Sequence, residues 1–168
     1  MKLENKKGIS LIETLLYVAI MGIFVAAMVS FVMTNKKVSK RNEVVSEVEF
    51  NAQSIVEIIS QATRNAKSIN TPTLQSSAQQ LSLVTDVASE NPTIISLSAG
   101  KITIKRGNGV AVALNTDKIV ISNLIFNNFG NVGTLGSINF QFDAKYLNPS
   151  NAQELNFSKT FFGTASIR

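Results

Sequence analysis

Residues that could do chemistry are sparse in this chain, and their distribution excludes more than it offers. The 168 residues contain no cysteine and no histidine. That removes disulfides, thiolate nucleophiles, Cys/His zinc sites and His-based catalytic triads. In the second half the acids Asp86, Glu90, Asp117, Asp143 and Glu154 are far apart, and none stands in a calcium-loop spacing. Serine and threonine are plentiful but have no histidine to activate them. The reading is therefore not an enzyme, with no catalytic residue, no metal and no cofactor. One acid stands apart from the rest. Glu13 lies five residues into an otherwise apolar run, Ile9 to Met33, just after Lys6-Lys7-Gly8. A carboxylate in such a run costs about 2.5–3.5 kcal/mol near a membrane centre and less near an end. Cleavage between Gly8 and Ile9 would create an ammonium on Ile9, one helical turn from Glu13. A buried acid and a cleavage-made amine would form a matched pair.

The element that must position this pair is a helix. Twenty-five apolar-dominated residues rise roughly 38 Å at about 1.5 Å each, enough to cross a bilayer. The run is too long for a secretory signal and has no Ala-x-Ala-like exit before Thr34-Asn35-Lys36-Lys37. Ala19, Gly22, Ala26 and Ala27 near its middle are small enough to let helices approach closely. Beyond it Val44, Val45, Val48, Ala52, Ile55, Val56, Ile59, Ala62, Ala66 and Ile69 recur at steps of three and four. No glycine or proline interrupts 34–70, and Thr71-Pro72 supplies the stop. One helix is predicted from Ile9 to about Asn70, with a membrane half at 9–33 and an amphipathic half at 34–70.

Residues 71–168 read as a β-rich head for the amphipathic stripe to pack on. Leu81–Val84 is a candidate strand. Thr93–Ser98, Ala99-Gly100 and Lys101–Lys105 read as a hairpin with a tight turn. Alternation of Lys101, Thr103 and Lys105 with Ile102 and Ile104 gives that strand one wet face. Val110–Leu114, Lys118–Phe126, Ser137–Ala144 and Lys159–Ile167 are further candidates, and Phe129–Gly136 is a glycine-rich loop. The expected fold class is α+β, a long N-terminal helix packed on a C-terminal antiparallel sheet.

The segment Lys6-Lys7-Gly8-Ile9-Ser10-Leu11-Ile12-Glu13 resembles the prepilin cleavage motif of type IV pilins and type II secretion pseudopilins. The family pattern is a short basic leader ending in glycine, an apolar first residue, a hydroxyl residue, two aliphatics and then glutamate. The resemblance implies a pilin-like fold and a leader at 1–8 removed by prepilin peptidase. It also implies N-methylation of Ile9 and a role for Glu13 in aligning subunits during assembly. Other pilin or pseudopilin subunits, an inner-membrane assembly platform and the lipid bilayer are the implied partners. The implied location is a single-pass inner-membrane protein, N-terminus cytoplasmic and head extracytoplasmic, that passes into a periplasmic or extracellular filament. Gly22 falls where the family commonly has a helix-loosening glycine. Ser30 stands where major pilins often carry proline, and there is no C-terminal cysteine pair; both tilt the resemblance towards a minor pilin or a J/W-type pseudopilin. Lys118–Phe126 and Thr164–Arg168 resemble strands of those subunits, with low specificity.

Two other readings stay open. An unprocessed, membrane-anchored β-domain acting as an adhesin or ligand-binding module explains the anchor and the sheet, but leaves Gly8 and Glu13 without a role. A DNA-uptake pilin would use Lys101, Lys105 and Arg106 first. The net charge of +5 is too mild and too scattered to argue nucleic-acid binding on charge alone. The Lys36, Lys37, Lys40, Arg41 cluster reads as a membrane-surface flank.

Overall fold

The computed structural model describes residues 10–131 and 136–168. Gly8 and Ile9, the expected cleavage pair, lie outside the described residues, as do residues 132–135 of the glycine-rich loop. The chain divides into two compact units, Met1–Lys40 and Arg41–Arg168. One helix, α1 (Leu11–Arg64), runs through the boundary between them.

In the first unit, Leu11 to Met33 is exposed on every side. Its large apolar side chains keep between 51% and 79% of their surface. It is the one candidate among the described residues long and apolar enough to cross a membrane. The helix opens at Ser10, whose carbonyl accepts from Glu13 N–H (2.9 Å) and Thr14 N–H (3.2 Å).

In the second unit the stripe expected from spacing is buried. Val44, Val48, Ala52, Ile55 and Ile59 are all within 1% of complete burial. The helix stops earlier than its periodicity suggests, at Arg64 rather than near Asn70. Ala66 N–H closes a last turn on Thr63 C=O (3.2 Å), and Lys67 N–H then donates to Val84 C=O (2.7 Å), which starts a β-ladder. Ala66 and Ile69 still face the core, Ala66 from the turn that ends the helix and Ile69 from a strand. Helical spacing at the end of a stripe reports only that both residues are buried; a strand edge competing for the backbone decided the conformation.

The head contains two antiparallel sheets where a single sheet was expected. The strands are β1 (Ser68–Thr71), β2 (Ser77–Ala78), β3 (Gln80–Val84), β4 (Thr93–Ser98), β5 (Lys101–Arg106), β6 (Val112–Ala113), β7 (Ile119–Asn128), β8 (Ser137–Tyr146) and β9 (Ser158–Ser166). Sheet 1 has the order β1-β3-β4-β5-β6 and sheet 2 the order β2-β7-β8-β9. The β4–β5 hairpin is in the expected register, Ser98 opposite Lys101. Ala99 and Gly100 both take positive φ (49° and 75°), as a two-residue turn matched to strand twist requires. On β5, Ile102 and Ile104 are buried while Lys101, Thr103 and Lys105 stay outside. The segment expected as a strand over Val110–Leu114 contributes only the two residues of β6.

Both sheets and the helix share one core, in which Phe126, Phe140 and Phe142 are the largest fully buried side chains. Each buried phenylalanine contributes about 1.5–3 kcal/mol relative to exposure. The Phe126 and Phe140 rings lie 6.0 Å apart and tilted, and Phe142 stacks on Phe161 at 5.8 Å. Gly163 on β9 leaves the space that the Phe140 ring fills: an added Cβ there would stand 2.3 Å from Phe140 Cζ.

Candidate functional site

The first turn of α1 carries the acid singled out by sequence. Glu13 sits at the positive end of the helix dipole, where a carboxylate is favoured. Tyr17, one turn on, donates its hydroxyl to Glu13 Oε1 (3.1 Å). Thr14 Oγ1 turns back to Leu11 C=O (2.8 Å). The exposed apolar surface therefore holds one carboxylate with a phenol beside it. Among the described residues no cation pairs with Glu13. Tyr17 was not anticipated, although its i+4 spacing from Glu13 was the available signal. The arrangement offers a fixed hydrogen-bond acceptor at one end of a surface that is otherwise fit only for lipid or for other helices.

In the head, polar residues join the elements rather than forming a reactive cluster. Asn115 is buried where the two sheets meet. Its Oδ1 accepts from Ile102 N–H of β5 (3.0 Å), and its Nδ2 donates to Ile119 C=O of β7 (2.7 Å) and Gly100 C=O (3.4 Å). Ile121 N–H donates to Gly100 C=O at 2.8 Å across the same seam. The next residue, Thr116, donates its N–H to Asn51 Oδ1 on α1 (3.1 Å). Asn51 in turn donates to Glu47 C=O (2.9 Å) and is 6% exposed. Apolar faces can slide over one another; these directional bonds fix the helix and both sheets in one register. Asn51 was legible only as a polar residue inside the apolar stripe, between Val48 and Ala52, and Asn115 gave no sequence signal.

Sheet 2 has a second polar node on its outer face. Asn123 (φ 53°) occupies a bulge in β7 between Ser122 and Ile125, a conformation asparagine tolerates. Its Nδ2 donates to Asp143 Oδ2 (2.6 Å), and Thr160 Oγ1 donates to Asp143 Oδ1 (2.5 Å). These two bonds, Thr160's first, hold the Asp143 carboxyl below its ordinary pKa. One carboxylate thus ties β7, β8 and β9 together.

The basic residues named as DNA contacts all lie on β5 but differ in their partners. Lys101 is bonded to Asp117, whose carboxyl is held below its usual value by that lysine. Arg106 Nε lies 3.8 Å from Glu90. Lys105 projects from the exposed end of β5 and has no carboxylate partner among the described residues. Residues 41–168 hold ten Lys/Arg against nine Asp/Glu. Lys118–Glu47 (3.9 Å) and Lys159–Glu49 (2.8 Å) engage two more of these cations with α1. A cleft of about 310 Å³ lies beside the end of α1, with Asn65, Asp86, Glu90 and Arg106 on its walls. Among the described residues no group of three His, Cys, Asp or Glu could hold a metal ion. Comparison with protein-family models, curated proteins and solved structures returned no match.

Proposed function

We propose that this chain is a filament subunit of the minor pilin or pseudopilin kind, cut by prepilin peptidase between Gly8 and Ile9 and assembled through α1. The observation that carries the reading is the first part of α1. It is an apolar surface exposed all round, interrupted by a single carboxylate in its first turn. A plain anchor has no use for that charge, and the cost of placing it in lipid needs an offset. An amine made at Ile9 offsets it, either the chain's own or that of a neighbouring copy during docking. The rest of the chain suits display: a helix rooted in a β-rich head by directional bonds transmits position and force from the packed helix to that head. The prepilin-like motif at residues 6–13 supplies the processing step, and the bilayer, the peptidase, an inner-membrane assembly platform and related subunits are the partners it entails.

Intact mass of the protein extracted from membranes that contain an active prepilin peptidase tests this. The expected product begins at Ile9 and carries one added methyl group. Recovery of the whole chain starting at Met1 would overturn the reading in favour of an unprocessed anchored domain. In the same cells Glu13→Ala should leave the mass change intact while lowering recovery in sheared filament fractions at least tenfold. Undiminished incorporation would remove the pairing role assigned to Glu13.

A further inference from the structure

Sheet 2 ends in a long open edge. Strands β1, β2 and β6 are short, but β9 spans nine residues and, among the described residues, pairs only with β8. Two bonds fix which of its backbone groups are free. Tyr146 N–H donates to Phe157 C=O (3.1 Å) and Ile167 N–H to Gly136 C=O (3.1 Å). Both belong to the register that places Lys145 opposite Ser158 and Ser137 opposite Ser166. Odd-numbered residues of β9 therefore bond to β8. The N–H and C=O groups of Ser158, Thr160, Phe162, Thr164 and Ser166 point away from the sheet. All five residues are exposed, Phe162 by 68%. An uncovered edge of this length is a template for another strand, and natural edges are usually blunted by charge. The one charge here, Lys159, is engaged by Glu49 (2.8 Å).

The outward residues read Ser-Thr-Phe-Thr-Ser, the same in either direction. We propose that β9 pairs antiparallel with β9 of a second copy of this chain, centred on Phe162. Phe162 then faces Phe162 of the other copy, Thr160 faces Thr164, and Ser158 faces Ser166. Each of these is a hydrogen-bonded pair, so the edge exchanges about ten backbone bonds. Between them, Phe161 lies beside Gly163 and Lys159 beside Ala165, so no like charges oppose one another. The partner is argued to be a copy because the free backbone groups, the hydroxyl pairs and the aromatic centre all satisfy one two-fold operation. That two-fold is normal to the sheet and reverses the α1 segment lying on it. The pair therefore joins two chains approaching from opposite directions, not neighbours aligned side by side. It stands independently of processing at Gly8.

The absence of native cysteine allows a direct test on the full chain in detergent micelles. In Phe162→Cys the two Cα atoms stand about 5.5 Å apart, within disulfide range. In Thr160→Cys the equivalent atoms are four residues out of step, about 13 Å apart, and cannot bridge. Mild oxidation should give a covalent dimer with Phe162→Cys and with the double variant Thr160→Cys/Thr164→Cys, but at least tenfold less with Thr160→Cys alone. Phe162→Lys, which sets like charges face to face, should shift sedimentation to the monomer. No dimer from Phe162→Cys, or equal dimer from position 160 alone, overturns the proposal. Unchanged sedimentation of Phe162→Lys overturns it as well.

Discussion

Replacing Asn115 with alanine tests whether the seam between the sheets is held by directional bonds or by apolar packing alone. The side chain satisfies Ile102 N–H and Ile119 C=O at 3.0 and 2.7 Å, and both of those residues are within 1% of complete burial. Alanine leaves a donor and an acceptor without partners. Each unsatisfied buried group costs about 1–3 kcal/mol, so the two together should cost about 2–6 kcal/mol. Water entering the vacated space would bring the loss to the lower figure. For a unit the size of Arg41–Arg168, one kcal/mol moves the melting temperature by about 3–5 °C. The expected fall is therefore about 6–30 °C, read by circular dichroism on the full chain in detergent. Asn108→Ala, in an exposed turn, serves as the control and should move it by less than about 2 °C. Asn51→Ala should cost less than Asn115→Ala, about 1 kcal/mol, because Thr116 N–H can turn to water. A fall below about 3 °C for Asn115→Ala would refute the reasoning, since the seam would then stand on packing alone.

Two further perturbations probe sheet 2. Gly163→Ala drives a methyl group to 2.3 Å from Phe140 Cζ, so the buried ring must shift within the core. An overpacking loss of about 1–3 kcal/mol is expected, and an unchanged melting temperature would show that the ring has room. The Asp143 carboxyl is depressed in the folded chain by Thr160 and Asn123. Its contribution is fully present above its unfolded value near pH 3.9 and is lost as pH falls through the lower folded value. Melting temperatures measured from pH 5 down to pH 2 should therefore fall less steeply for Asp143→Asn than for the parent chain. Superimposable acid limbs would remove Asp143 as a contributor.

Local patterns in this sequence were informative wherever a residue's neighbours along the chain settle its environment. The apolar run, the stripe from Val44 to Ile59, the Ala99-Gly100 turn and the alternation in β5 all follow from one chain segment and its period. Glu13 was legible for the same reason, as a charge whose surroundings are given by adjacent residues. Ala66 and Ile69 mark where this stops: their spacing gave burial correctly and conformation wrongly, because the strand partner is Val84 and its neighbours in β3. The division into two sheets was hidden likewise, since alternation gives each strand a wet and a dry face but not the identity of the strand beside it.

What the sequence alone determined, then, is a long helix followed by strands, the apolar half of α1 with its one acid, and which face of β5 is dry. Those features rest on helical and strand periods, which are properties of consecutive residues. Only the tertiary structure decided that Asn51 and Asn115, far apart in the chain, lock helix and sheets together. It also decided that alternate backbone groups of β9 are left free at an open edge. Hydrogen-bond direction and strand neighbours depend on what the chain brings back from a distance, and no local period encodes that.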